Sequence, residues 1–223
     1  MKTALITLLC CMPFFSKAQT AADVFDKKTS YTFTWLGIDY SHVKIAESLT
    51  LFNGDKPRTA EDIKNSYFKS WNELIVNERE KYSIEEMLNI SYVAYDINMM
   101  TRINDSARSE ELVSPTPPVF SPEQIQSFVQ EYPLENKSGI GIVFIAESMN
   151  KRLEEAYYHI AIINMQTKEV LIQQRLKGKP FGAGIRNYWA GSYRSAMATV
   201  HDDYYNKWRA KYAAKTAPVK PAW

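Results

Sequence analysis

Three acidic residues stand at or near the ends of apolar runs. Asp39 lies at the end of YTFTWLGIDY (residues 31–40), Asp96 in ISYVAYDI (90–97), and Glu147 directly after GIGIVFIA (139–146). If the three runs are parallel strands of one sheet, the acids arrive at one edge, where ligands of open α/β sheets settle. A later run, Val170 to Leu176, ends at the same edge two reversals on. It leads into KPFGAGIR (179–186), where glycines precede a helix. Free backbone N–H groups and the helix dipole at such an entry favour an anion. The candidate ligand-binding set is therefore Asp39, Asp96, Glu147, Gly182, Gly184 and Arg186, with a carboxylate-bound cation as a lesser variant. A plainer reading stands beside it: glycines also make tight turns, and acids at strand ends are often only solvated. No Walker or dinucleotide fingerprint accompanies the glycines.

Other chemistry is poorly represented. His42, His159 and His201 have no metal-ligand spacing, and His159 sits among Tyr157, Tyr158 and Ile160, a setting for a hydrogen-bonded strand histidine. His201-Asp202-Asp203 looks like a ligand cluster, but helical neighbours diverge by about 100 degrees, so it reads as a solvated face. There is no Gly-x-Ser-x-Gly elbow. No catalytic residue, cofactor or metal is expected. The 14 tyrosines are scattered through predicted strands and helices, which favours packing over a carbohydrate platform.

The elements that would position these residues are legible from period and punctuation. Strands are expected at Tyr31 to Tyr40, with Ser41 to Ala46 continuing past a bulge, and at Ile90 to Ile97, Gly139 to Ala146, Ala156 to Asn164 and Val170 to Leu176. Thr59 with Asp62 and Ser83 with Glu86 resemble helix-start boxes, and Ser121-Pro122-Glu123-Gln124 is the cleanest start in the chain. Asn53-Gly54-Asp55 with Pro57 reads as a turn. Thr101 to Phe120, with three prolines and no apolar period, reads as a surface loop. Ile185, Trp189, Tyr193, Ala196, Val200, Tyr204 and Trp208 recur three or four apart, a single helical stripe that needs a sheet to cover. The fold class is α/β (α+β): one mixed β-sheet of about five strands with helices packed on it, in the order β-α-β-α-β-β-β-α.

The chain opens Met1-Lys2, runs uncharged from Thr3 to Phe15, and reaches Ser16-Lys17-Ala18 before Gln19. A basic start, a short apolar core and small residues before the cut are the marks of a signal peptide, residues 1–18. Residues 19–30 read as a flexible lead-in, 31–212 as a single domain, and 213–223 as a flexible tail. Of 27 basic and 25 acidic residues, the leader holds two lysines and no acid, so the mature chain is neutral. Neutrality gives no electrostatic case for nucleic acid. Both cysteines, Cys10 and Cys11, lie in the leader, and Leu9 before Cys10 does not suit a lipoprotein cut. The mature chain has no run long enough for a transmembrane segment, so it is expected to be periplasmic or secreted.

The strand pair Ala156 to Leu176, with HIAIINMQTKEVLIQQ at its turn and a helix after it, resembles the C-terminal half of periplasmic α/β domains of outer-membrane assembly proteins. These are the curli-secretion lipoprotein, the lipoprotein activators of penicillin-binding proteins and the TolB amino-terminal domain. Thr167-Lys168 stands where Thr-Gly is usual, and the acylated cysteine of the lipoproteins is missing. The resemblance covers about a third of the chain and implies a non-catalytic envelope role without transferring site residues. The expectation is an exported binding or assembly protein with an envelope protein as partner. The alternative is a small-ligand binder or enzyme using the strand-end acids and the Gly182 to Gly184 helix entry.

Overall fold

The structure, a computed structural model, describes residues 19–46 and 58–213. The leader, the Asn53-Gly54-Asp55 turn with Pro57, and residues 214–223 of the tail lie outside the described residues. Among the described residues six strands form one mixed sheet: β1 (Phe33–Asp39), β2 (Lys44–Ala46), β3 (Ala94–Tyr95), β4 (Ile140–Asn150), β5 (Glu155–Asn164) and β6 (Glu169–Gly178). The order is β3-β1-β4-β5-β6, with β2 following β1 along the same side of β4. β1 is parallel to β3 and β4, while β4, β5 and β6 form an antiparallel meander. That is the mixed sheet with packed helices read from the sequence.

Helices cover both faces, which is why β1, β4 and β5 are apolar on both sides. On one face lie α1 (Ala60–Ile63), α2 (Lys69–Asn77), α3 (Ile84–Leu88), α6 (Gly184–Thr199) and α7 (Tyr205–Ala213), over Trp35, Phe144, Tyr158 and Ile160. On the other lie α4 (Asn98–Asp105) and α5 (Pro122–Gln130), over Leu36, Val143, Ile145 and Ala161. The aromatic stripe is buried at six of its seven positions, Ile185, Trp189, Tyr193, Ala196, Val200 and Trp208 each being at most 6% exposed, while Tyr204, at the end of a π turn, is only partly buried. Single π-helical turns interrupt both long helical stretches, at Lys64–Phe68 and at Val200–Tyr204. Thr59 and Ser121 form full capping boxes, and the Ser83 hydroxyl accepts the Glu86 N–H.

Three local readings are corrected. The strand expected over Ile90 to Ile97 is only two residues long. Thr101 to Phe120 is no plain loop: α4 occupies its first turn and a 3-10 turn covers Ser109–Glu111. Gln19 to Ser30 packs down, with Val24 buried and the Phe25 ring stacked on Tyr212.

The short β3 leaves the upper edge of β1 without a strand, and two buried asparagines replace it. Asn72 accepts the Ile38 N–H at 2.6 Å and donates to the Ile38 C=O at 2.9 Å. Asn104 accepts the Tyr40 N–H at 2.7 Å and also donates to the Ile38 C=O. Gly37, at φ +109°, lets Asn72 approach: a Cβ there would lie 2.6 Å from its Oδ1. Asn72→Ala leaves the Ile38 N–H buried and unpaired, which costs about 1–3 kcal/mol. Urea unfolding will show a lower midpoint with an unchanged slope; a midpoint equal to wild type would refute the role given to Asn72.

Candidate functional site

A β-bulge decides which way Asp39 points, and plain alternation along β4 places Glu147 on the same face. The β1–β4 register slips between Trp35 and Gly37, so Leu36 and Gly37 fall on one face and Asp39 emerges on the α5 side. Along β4, Ile145 faces α5, Ala146 the other side and Glu147 α5 again, and the β4–β5 register slips only after that, between Ala146 and Ser148, with Glu147 as the extra residue. Bulges such as the one in β1 re-aim side chains and recur beside functional sites. Asp39 pairs with Ile145, so Asp39 and Glu147 are neighbours on one face near the C-terminal ends of β1 and β4.

Both acids are fully buried, and both are met by donors from the chain itself. Asp39 receives the Tyr132 hydroxyl at 2.7 Å and the Ser41 N–H and hydroxyl at 2.8 and 2.6 Å. Burial first, then the Asp39 carboxylate, pushes the Tyr132 phenol well above its ordinary value. Glu147 is the hub of a larger network. The Arg175 guanidinium donates to both its oxygens, with Nε at 3.0 and 3.1 Å and Nη2 at 2.5 Å. His159 Nε2 lies 2.8 Å from Oε2, and the Phe120 N–H donates to the same oxygen at 3.0 Å. Gln173 closes the far side of the imidazole, its Nε2 being 2.5 Å from Nδ1.

The chemistry of this network is that of an anchor. Glu147 stands at Nε2 of His159 and the Gln173 amide at Nδ1, so both ring nitrogens already have a partner within the chain. A Glu-His pair can activate a nucleophile only if the second ring nitrogen faces one. Here that nitrogen faces a carboxamide, and His159 is 1% exposed. Arg175 is the member that reaches the surface, with its guanidinium 3.7 Å from the centre of the Tyr157 ring.

The other candidate residues lie elsewhere. Asp96 stands beside the middle of β1, where its N–H donates to the Trp35 C=O, and its carboxylate pairs at 2.6 Å with Lys137, ahead of β4, away from Asp39. Gly182 and Gly184 have φ of +120° and +72° and introduce α6, on the face opposite Asp39 and Glu147. Arg186 is exposed and reaches the Asn187 side chain. The six residues therefore do not converge: the sheet divides the acids from the helix entry, and β1 separates Asp96 from Asp39 along its length. Sequence reasoning missed His159, Arg175 and Phe120 as partners of Glu147, and Gln173 as the partner of His159. The signal available was register: His159 opposite Arg175 and Ile145 opposite His159 follow from aligning the meander.

Among the described residues no group of three or more His, Cys, Asp or Glu could hold a metal ion. His201 Nδ1 lies 2.9 Å from the Glu86 carbonyl, with Asp202 and Asp203 exposed beside it.

Burial alone would raise the Glu147 carboxyl, but hydrogen bonds from His159, Arg175 and Phe120 overcome it and bring the pKa down to about 2. A depressed acid stabilises the fold above its unfolded value of 4.5, and that contribution is lost as pH falls toward 2. Glu147→Gln, which takes the carboxylate from the partly exposed Arg175 guanidinium, will lose about 1–3 kcal/mol near neutral pH. Between pH 4.5 and 2 its stability will fall less steeply than that of wild type. Parallel acid-unfolding curves for the two proteins would overturn this account. Asp96→Ala, which breaks a partly exposed pair, will cost under about 1 kcal/mol by urea unfolding.

No protein-family model, curated protein or solved structure matches the chain.

Proposed function

We propose that this is an exported protein of the cell envelope that works by binding another envelope component rather than by turning over a substrate. The observation that carries the reading is the way the titratable groups of the sheet are spent. Asp39, Glu147 and His159 are buried and each ends on donors or acceptors of the same chain. Such a network fixes strand register and a loop; it holds no base or nucleophile facing outward. The basic, apolar, small-residue pattern of Met1 to Ala18 supports export. The likeness of the Ala156 to Leu176 hairpin to periplasmic assembly domains points the same way.

Among the described residues no helix is long and apolar enough to cross a membrane, which agrees with a mature chain that has no transmembrane helix. Expression with the leader intact, followed by fractionation and N-terminal sequencing, will find a processed chain beginning at Gln19 outside the cytoplasm. Crosslinking in the same envelope fraction will recover a discrete heteromeric species. An unprocessed cytoplasmic chain, or a lone monomer under crosslinking, would reject the proposal.

A further inference from the structure

β6 is the outer strand of the meander, and among the described residues no strand pairs with its second edge. Its backbone groups can be sorted by register. β6 slips by one residue at Leu171, so Val170 and then Gln173, Arg175 and Lys177 share the α5 face and turn their N–H and C=O groups away from β5. Val170 confirms the direction, since its N–H donates outward to Gln126 Oε1 at 2.9 Å. At the other end the Lys179 N–H donates to the Ser195 hydroxyl at 3.2 Å. Between these two seals the Gln174 amide donates to the Arg175 C=O at 3.0 Å, and the N–H groups of Gln173, Arg175 and Lys177 meet no acceptor among the described residues.

A groove of about 620 Å³ opens along this unsealed stretch. One wall is the strand, from Arg175 to Lys179; the other is the α6 helix and the π turn after it, through Ser195, Thr199 and Tyr204. Leu153, 59% exposed, stands at its rim. An edge strand beside a helix is the geometry in which an extended peptide adds as a further strand, its backbone supplying affinity and alternate side chains specificity.

We infer that the β6 edge takes an extended acidic segment of a protein partner, deepening the binding role proposed above and resting on it. Charge selects this occupant over a second copy. Arg175, Lys177 and Lys179 recur at every second position of the edge. An antiparallel copy of the same strand would crowd these cations together, and edge lysines are a usual guard against self-pairing. Arg175 is held by Glu147 and Lys177 pairs with Glu155 at 2.5 Å while staying 58% exposed; Lys179 adds a further cation to a groove whose lining also holds Glu154. Lys177 and Lys179 are thus the charges that meet carboxylates placed at alternate positions of the partner, with its remaining side chains turned to the Leu176 and Tyr204 wall.

The test uses the mature chain and three labelled probes: a proline-free peptide alternating valine and glutamate, the same peptide with lysine for glutamate, and the glutamate peptide N-methylated at alternate residues. The glutamate peptide will bind by fluorescence anisotropy and slow hydrogen exchange at Gln173, Arg175 and Lys177. The lysine and N-methylated peptides will bind at least about tenfold more weakly, as expected when two cross-strand pairs or the backbone bonds are lost. Lys177→Gln combined with Lys179→Glu, which sets no acid beside Glu155, will weaken the glutamate peptide by a similar factor and lose the envelope partner. Absence of peptide binding, equal binding of the N-methylated peptide, or a concentration-dependent dimer protecting these amides would overturn the inference. So would an envelope partner captured undiminished by the double variant, which would leave the general binding role standing. Peptide binding without any envelope partner would uphold the edge and remove that role.

Discussion

A fully buried carboxylate must be hydrogen-bonded by its surroundings or it will not stay ionised, and Glu147 meets that constraint with donors from three other parts of the chain. It projects from β4; His159 comes from β5, Arg175 from β6, and the Phe120 N–H from the segment that leads into α5. The register of three strands and the docking of that segment are thereby coupled at one side chain. A slip of the meander by one residue would reverse the faces of His159 and Arg175 and leave the charge unpaired. The network therefore specifies one arrangement, where an apolar contact would tolerate several.

The same requirement shapes the opposite edge of the sheet. β1 is buried on both sides, so its backbone groups beyond β3 cannot be left to water, and the carboxamides of Asn72 and Asn104 act as a substitute strand. That solution draws α2 and α4 against β1 and depends on Gly37, whose missing Cβ and positive φ admit Asn72. Sheet edges are thus treated differently at the two ends of the strand order. β1 is closed by buried amides, and β6 keeps an open stretch beside a groove.

Much of the architecture was legible from the sequence because it rests on local rules. The capping boxes at Thr59 and Ser121 fix helix starts through reciprocal bonds three residues apart. The stripe from Ile185 to Trp208 declares a buried helix face, and it survives the π turn at Val200–Tyr204 because that turn shifts the phase without removing its apolar residues. α4 was not legible: its inward face includes Asn104, a polar residue that an apolar period does not count. Nor was the brevity of β3, since ISYVAYDI alternates like a strand while the place it would occupy beside β1 is taken by two asparagines distant in sequence.

The candidate site divides along the same line. By itself the sequence determined that acids stand at strand ends, that a glycine-marked helix entry follows the meander, and that one mixed sheet carries helices, because residue type and spacing within a single element carry that information. Only the tertiary structure decided which face each acid takes. The bulge at Leu36 turns Asp39 to the α5 side that Glu147 reaches by alternation, the Gly182 to Gly184 turn belongs to the other side, and Asp96 lies beside the middle of β1 with Lys137 as its partner. A bulge is a mismatch between two strands, so neither strand alone contains it.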